Sequence, residues 1–162
     1  LRPKSRQLLF TKEAKNKYYI RIYYLYSRSS GGMEIIMEIN KDMKYSKTHE
    51  WVKFLDDTTA LIGLTDFAQE QLGDLIFINM PAEGDEVSCD TPFGDIESVK
   101  AVSDINSPVD GIVAEVNEEI AENPENINSD PYGSWIIKVS NITEICDLMD
   151  ADSYERFCQE EA

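Results

Sequence analysis

Apolar and polar residues alternate in short runs from Tyr45 onwards. Segment 51–55 has a strand-like alternation, Asp56 and Asp57 then favour a turn, and 59–64 is a second run of mostly apolar residues. An alternation with a period of two places the apolar side chains on one face of a pleated strand. The pattern therefore predicts a β-hairpin at the start of this region.

A short helix is predicted to follow this hairpin. Thr65 or Asp66 can cap its first turn, and Gly73 marks its end, because short polar side chains satisfy the free N–H groups at a helix start and glycine suits the helix end. The predicted helix covers 67–72.

The rest of the chain is divided into short segments by proline, glycine and asparagine. Many short strands between closely spaced turns favour a sandwich or a flattened barrel, so the predicted fold is mainly β with short helices. Segments 93–100 and 101–105 form a predicted hairpin with Lys100 near its tip. The other predicted strands are 75–80, 87–89, 112–116 and 135–139, and the predicted C-terminal helices are 142–149 and 154–160.

Charge divides the chain near Met43. Residues 1–42 hold nine Lys and Arg and four Asp and Glu, a net charge of +5, which leaves 6 minus 27, or −21, for residues 43–162. We expect 1–42 to be a basic leader that is disordered, transit-like or upstream sequence joined to the gene, with Met33, Met37 and Met43 as alternative starts. We expect 43–162 to be one domain.

The acidic domain favours proteins as partners. A strongly negative surface repels nucleic acid phosphates and anionic membranes and attracts proteins with basic docking faces. The most apolar stretch, 18–26, is interrupted by Arg21 and is too short to cross a bilayer. We therefore predict a soluble protein that binds neither nucleic acid nor membrane.

The cysteines and the single histidine give no clear catalytic or metal site. Cys89, Cys146 and Cys158 are odd in number and widely spaced, which predicts neither a disulfide framework nor a zinc site and favours a reducing compartment. His49 has no partner histidine, so a packing or capping role is favoured over metal binding. Without a Ser-His-Asp or Cys-His constellation or a glycine-rich nucleotide loop, an enzyme is disfavoured.

Three longer motifs follow one another along the chain: Thr48-His49-Glu50-Trp51-Val52, Gly63-Leu64-Thr65-Asp66-Phe67-Ala68-Gln69-Glu70-Gln71-Leu72-Gly73-Asp74, and Phe93-Gly94-Asp95-Ile96-Glu97-Ser98-Val99-Lys100-Ala101-Val102-Ser103-Asp104. In order and spacing, these motifs resemble the H proteins of the glycine cleavage system, and the likeness runs from Met43 to the C-terminus. The segment 132–135 is one residue shorter than is usual in the family.

This resemblance implies a lipoyl/biotinyl-type flattened barrel-sandwich hybrid with lipoic acid in covalent amide linkage to Lys100. It implies that the flank of Lys100 is recognised during lipoylation and that an aminomethyl-lipoyl arm docks in a nearby cleft. The implied flank is Glu97, Ser98, Val99 and Ala101, and the implied cleft residues are Glu50, Asp104 and Thr48. Carboxylates suit such a cleft, because they accept charge-assisted hydrogen bonds from a protonated amine.

The resemblance also implies the partners and the role. A non-catalytic, monomeric carrier would pass the aminomethyl group of glycine from glycine decarboxylase (P protein) to aminomethyltransferase (T protein). Dihydrolipoyl dehydrogenase (L protein) would reoxidise it, and a lipoate-attaching enzyme would modify it. The expected location is the bacterial cytoplasm, with the mitochondrial matrix as the alternative.

Other interpretations stay open from the sequence. Lys100 taken alone could be a surface lysine paired with Glu97 or Asp104. The same fold and lysine would serve a relay module that donates lipoyl groups to 2-oxo acid dehydrogenases, or the chain could be an unmodified interaction protein. A biotin carrier is disfavoured, because its lysine usually lies between methionines and Lys100 lies between Val99 and Ala101.

Overall fold

The structure is a computed structural model that describes residues 7–14, 17–27 and 33–161. Contacts group the chain into two units, Leu1–Lys41 and Asp42–Ala162. None of the helices in the described ranges is long and apolar enough to cross a membrane.

The first unit contains three antiparallel strands with the second in the middle: β1 (Gln7–Ala14), β2 (Tyr19–Ser27) and β3 (Met33–Asn40). The prediction for 1–42 is a basic leader that is disordered, transit-like or upstream sequence joined to the gene, and the described residues of this unit form strands. The physical reason lies in 18–26, which is rich in tyrosine, isoleucine and leucine, and aromatic and β-branched residues favour strands. Residues 1–6, 15–16 and 28–32 lie outside the described residues, and the origin of the leader stays a prediction.

The second unit contains two sheets and short helices, as the sequence predicts. Strands β4 to β6, β8, β11 and β12 form a six-stranded sheet in the order β4-β5-β6-β12-β11-β8, and the remaining three form a sheet in the order β10-β9-β7. The elements are β4 (Lys44–Tyr45), β5 (Glu50–Phe54), β6 (Ala60–Leu64), α1 (Asp66–Leu72), β7 (Leu75–Asn79), β8 (Glu86–Val87), β9 (Pro92–Ser98), β10 (Val102–Asn106), β11 (Val109–Val116), α2 (Glu118–Glu122), α3 (Asn126–Ser129), β12 (Ile137–Ile145) and α4 (Ala151–Glu161).

The core lies between the two sheets. Ile78, Ile96 and Ile105 from the small sheet and Ile62 and Val113 from the large sheet belong to one cluster of buried side chains. Burial of each such side chain contributes about 1.5–3 kcal/mol. The two sheets are therefore held as one body, which gives the small sheet a rigid support.

Trp51 is a core residue, as expected, and its packing restricts which residue can occupy the opposite position on the neighbouring strand. Its ring is 1% exposed, its Nε1 donates to the Pro131 carbonyl at 3.0 Å, and it pairs with Gly63 across the β5–β6 hairpin. A β-carbon at residue 63 would collide with the indole ring. Glycine is thus required here by the packing of tryptophan.

Two predictions from the sequence are wrong. Residues 142–149 were expected to be helical, but β12 continues to Ile145 and pairs with β11, because Ile142, Thr143 and Ile145 favour a strand. Only α4 follows as a C-terminal helix within the described residues.

The second wrong prediction concerns the cysteines. Cys89 and Cys146 form a disulfide, with Cα atoms 5.7 Å apart. They meet because both lie against one turn. Cys89 forms an isolated β-bridge with Ser107, and the Cys146 amide donates to the Pro108 carbonyl at 3.0 Å. Their separation of 57 residues hides this proximity in the sequence.

Candidate functional site

Lys100 lies in the turn between β9 and β10, at the tip of the predicted hairpin. The turn is organised by the buried Ser98, whose hydroxyl accepts from the amides of Lys100 (3.2 Å) and Ala101 (3.1 Å) and donates to the Ala101 carbonyl (3.3 Å). The Ser98 amide also donates to that carbonyl at 2.8 Å. One side chain thus satisfies most of the polar backbone of the turn, which leaves Lys100 exposed on a fixed base.

The amine of Lys100 is available for chemistry. Among the described residues, no carboxylate lies within ion-pair distance of it, so the expected alternative of a pair with Glu97 or Asp104 does not form. Its aliphatic stem passes over Gly73, where a β-carbon would lie 3.0 Å from Lys100 Cε. Gly73 also has φ of 79°, a conformation that L side chains rarely adopt.

The turn that carries Lys100 rests on the segment after α1. The Val99 amide donates to the Asp74 carbonyl at 3.0 Å. Asn128 of α3 holds this segment: its Oδ1 accepts from the Leu75 amide at 3.0 Å, and its Nδ2 donates to the Gly73 carbonyl at 2.9 Å. The resulting support is built from residues distant in sequence.

A cleft of about 290 Å³ lies beside α1, between the two sheets and the end of α4. Its floor is apolar and its rim carries polar and acidic groups, which suits a ligand with an aliphatic body and a polar end. The lining residues are Thr48, His49, Leu64, Phe67, Ala68, Gln71, Leu72, Ile96, Ser103, Asp104 and Glu161.

The three cleft residues named from the sequence divide into two layers. Thr48 and Asp104 line the cleft, whereas Glu50 is 1% exposed and lies behind Thr48. Glu50 accepts hydrogen bonds from the hydroxyls of Ser46 and Thr48, both at 2.5 Å, and from the Asn106 amide at 2.9 Å. Burial raises the pKa of Glu50, and these hydrogen bonds partly offset the rise.

His49 joins the cleft to the C-terminal helix. Its Nδ1 lies 2.8 Å from the Tyr154 hydroxyl and its Nε2 lies 2.7 Å from a carboxylate oxygen of Glu161, while its ring packs on Phe67 and Phe157. Burial lowers the pKa of His49, and the hydrogen bond with Glu161 opposes this effect. The packing role expected for His49 is thus observed. Within the described residues, no cluster of three or more His, Cys, Asp and Glu side chains could hold a metal ion.

Sequence reasoning missed Glu161 and the wall formed by α1. A signal for Glu161 existed: Tyr154, Phe157 and Glu161 recur at helical spacing, which places them on one face of a C-terminal helix. No pattern in the sequence links that face to residue 49.

A mainly β domain that displays one lysine on a tight hairpin beside a cleft has the form of a lipoyl-type carrier domain. Comparison with known proteins specifies the family: the model of the glycine cleavage H-protein family matches residues 43–161, which is most of the chain. The chain belongs to this family.

Relatives of known sequence and structure agree with this assignment. The chain is 50% identical over 125 residues to a glycine cleavage system H protein of Lachnoclostridium phytofermentans, with 77% of this chain and 98% of that protein covered. It is 53% identical over 124 residues to mitochondrial H protein 2 of Arabidopsis thaliana, with 75% and 79% covered. The crystal structure of the H protein from Mycobacterium marinum superposes with a TM-score of 0.71 at 35% identity, covering 76% of this chain and all of that one.

Proposed function

We propose that this chain is the lipoyl carrier of a glycine cleavage system, which shuttles the aminomethyl group of glycine from the P protein to the T protein and is reoxidised by the L protein. The observation that carries this proposal is the free amine of Lys100, displayed on the turn organised by Ser98 beside the cleft. Family membership supports the same role. The chain itself supplies no catalytic step.

The residues around Lys100 fit a covalently attached lipoyl group. The amine is exposed and unpaired among the described residues, and the cleft offers an apolar floor. A lipoyl group bound to Lys100 would supply a redox-active cyclic disulfide as the carrier group. The amide also removes the charge of the lysine, which favours contact with apolar residues.

We assign Asp104 and Thr48, which line the cleft, to holding a protonated amine. Asp104 supplies a charged acceptor at the rim. Thr48 donates its hydroxyl hydrogen to Glu50, so the lone pairs of its oxygen are left to accept from a ligand. Glu50 thus acts through Thr48, by fixing the direction of that hydroxyl.

The flank of Lys100 divides into two functions. Ser98 is 5% exposed and holds the turn, so we assign it a structural role. Glu97, Val99 and Ala101 are exposed beside Lys100 and are accessible to a lipoate-attaching enzyme. The expected location, bacterial cytoplasm or mitochondrial matrix, is part of the proposal; one relative comes from a bacterium, and the relative from Arabidopsis thaliana is named mitochondrial.

Lipoylation of purified protein tests the attachment site. Wild type is expected to gain the mass of one lipoyl amide, mapped by fragmentation to Lys100, and Lys100→Arg is expected to gain none. Lys53→Arg is the matched control and is expected to be lipoylated like wild type, because Lys53 is likewise exposed but lies on β5 and not in the turn that carries Lys100. Modification of Lys100→Arg at the wild-type rate would refute the assignment.

Reconstitution with purified P, T and L proteins tests the shuttle. Lipoylated wild type is expected to support glycine-dependent turnover and Lys100→Arg is expected to support none. Transfer of lipoyl groups to 2-oxo acid dehydrogenases without glycine turnover would instead establish the relay function.

A further inference from the structure

The Cys89–Cys146 disulfide joins the two sheets of the domain at the end of the small sheet that is opposite Lys100. Cys89 lies between β8 and β9, and Cys146 directly follows β12, so the bond links the entry to the small sheet with a strand of the large sheet. The seven residues of β9 separate it from the Lys100 turn, a span of about 20 Å. Neither cysteine lines the cleft. The disulfide is thus a reactive group that the carrier role does not use.

The disulfide is open to attack in the folded protein. Cys89 and Cys146 are both half-buried, whereas the free Cys158 is 0% exposed. Disulfide exchange requires a thiolate to reach one of the two sulfurs, so exposure decides which sulfurs react. Neither half-buried cysteine belongs to the cluster of buried apolar side chains between the sheets. Cleavage of the bond therefore leaves that cluster in place.

The backbone around the disulfide holds the two sulfurs together independently of the bond. The Cys89 amide donates to Asp110 Oδ1 at 2.6 Å, and the Cys146 amide donates to the Pro108 carbonyl at 3.0 Å. Cys89 Sγ lies 3.8 Å from the Pro108 oxygen and Cys146 Sγ lies 3.7 Å from the Ser107 oxygen. A thiol is a weak donor, so each S–H formed on reduction has an acceptor within reach. The reduced pair stays adjacent, which favours closure of the same bond on reoxidation.

The surroundings of the disulfide are acidic. Each of its cysteines is followed by an exposed aspartate, Asp90 or Asp147, and Asp110 is the cross-strand neighbour of Glu144. In the part of the chain that the structure describes, one ion pair involves these four carboxylates, the exposed contact of 3.7 Å between Lys47 and Asp147. An approaching thiolate therefore meets net negative charge.

The chemistry of exchange makes this charge decisive. A thiolate forms a bond to one sulfur of the disulfide and expels the other as a thiolate, and a second thiol then cleaves the mixed disulfide. In total, two thiols are oxidised to one disulfide, and the protein disulfide gains two electrons and two protons. Negative charge is present on the reacting sulfurs throughout, so nearby carboxylates oppose the reaction unless the attacking thiol also carries positive charge.

We propose that Cys89–Cys146 is a reversible redox site that reacts in the folded protein and selects thiol reductants that carry positive charge. Reduction removes the covalent link between the two sheets, while the Lys100 turn keeps its own support from Ser98. This proposal does not depend on the role of Lys100 as a lipoyl carrier.

Cysteine labelling of the full chain tests reaction in the folded state, with Cys158 as the internal reporter of unfolding. After treatment with cysteamine, iodoacetamide is expected to label Cys89 and Cys146 and to leave Cys158 unlabelled, as mapped by mass spectrometry. Replacement of the thiol by its disulfide, cystamine, is expected to restore the bond and to abolish labelling. Labelling of Cys158 at the same rate as the other two would mean that reduction requires unfolding, and would overturn the proposal. Failure to reduce the native chain, or to reclose the bond, would overturn it as well.

Three two-carbon thiols of different charge test the selectivity: cysteamine (positive), 2-mercaptoethanol (neutral) and 2-mercaptoethanesulfonate (negative). Their rates are compared per concentration of thiolate. Two unit charges about 7 Å apart in water change a rate by about threefold. At low salt, cysteamine is therefore expected to react at least about tenfold faster than the sulfonate, and salt should reduce the difference. Equal rates for the three thiols would overturn the proposed selectivity.

Charge variants locate the origin of the selectivity. Asp90→Asn is expected to lower the ratio of the cysteamine rate to the sulfonate rate several-fold, and asparagine tolerates the φ of 55° at this position. Asp74→Asn is the matched control: it removes the same charge from an exposed aspartate whose carbonyl accepts from Val99, beside the Lys100 turn. The control is expected to leave the ratio unchanged. A ratio in Asp90→Asn equal to that of wild type would contradict the electrostatic explanation.

Discussion

The support beneath Lys100 depends on one amide side chain, that of Asn128. Its Oδ1 accepts from the Leu75 amide at 3.0 Å, and its Nδ2 donates to the Gly73 carbonyl at 2.9 Å and to Gln69 Oε1 at 3.0 Å. Gln69 is itself oriented, because its Nε2 donates to Asp66 at 2.7 Å. Asn128 thus joins the end of α1 to the start of β7.

Asn128→Ala removes all three of these hydrogen bonds. A neutral hydrogen bond contributes about 0.5–1.5 kcal/mol, and Asn128 is half-buried, so water replaces part of what is lost. We expect the free energy of unfolding to fall by about 2 kcal/mol, which corresponds to a decrease in Tm of roughly 6–10 °C for a domain of this size. The rate of lipoylation should also fall, because Val99 rests on the same segment.

Asn128→Asp separates the two halves of this interaction. The aspartate still accepts from the Leu75 amide, but its second oxygen faces two acceptors, the Gly73 carbonyl and Gln69 Oε1. We expect a loss of stability at pH 7 at least as large as that of Asn128→Ala, and partial recovery at acidic pH as the carboxyl becomes a donor.

Urea and thermal unfolding provide the assay, with Asn126→Ala as the control. Asn126 lies on the same short helix, but its side chain makes one long hydrogen bond, 3.4 Å to Glu119. The control should lose less than about 0.5 kcal/mol. If Asn128→Ala loses no more than Asn126→Ala, the support described here does not exist in this form.

Three further predictions concern other parts of the domain. The Cys89–Cys146 disulfide closes a loop of 57 residues, so its reduction should lower the free energy of unfolding by about 4 kcal/mol, and unchanged unfolding with reductant would contradict this. Burial lowers the pKa of His49 below its ordinary 6.5. As the pH falls below 6.5, the unfolded chain therefore binds more protons than the folded chain, and the free energy of unfolding decreases. The variant His49→Asn, whose asparagine tolerates the positive φ at this position, should show a weaker dependence of unfolding on pH. Gly73→Ala should lower the free energy of unfolding by about 1–3 kcal/mol, because alanine is strained at the φ of 79° found here. The new methyl group should also displace the stem of Lys100. A variant as stable as wild type would refute the proposed strain.

Local patterns predicted local features well. The alternation of apolar residues predicted β5 and β6, Thr65 proved to be the N-cap of α1 with its hydroxyl accepting from the Ala68 amide at 3.1 Å, and Gly73 ends that helix. The hairpin that displays Lys100 was predicted for the same reason: its turn and its strands are adjacent in sequence.

Features that depend on distant residues were missed. Nothing near Cys89 in sequence points to Cys146, and His49 meets Glu161 across 112 residues. The apolar spacing of Ile142, Ile145 and Met149 predicts a helix, but pairing with β11 makes 142–145 the end of β12. Tertiary contacts, which no single-sequence pattern contains, account for each of these differences.

Helix α1 connects the two functional parts of the domain. At its start, the Thr65 hydroxyl bonds to that of Tyr154 at 2.7 Å, which in turn contacts His49 at the cleft. Along its length it supplies Phe67 and other side chains to the cleft wall, and at its end Gly73 lies beneath the stem of Lys100. Since one seven-residue helix contacts both the attachment site and the cleft, a change that shifts it should alter lipoylation and arm docking together.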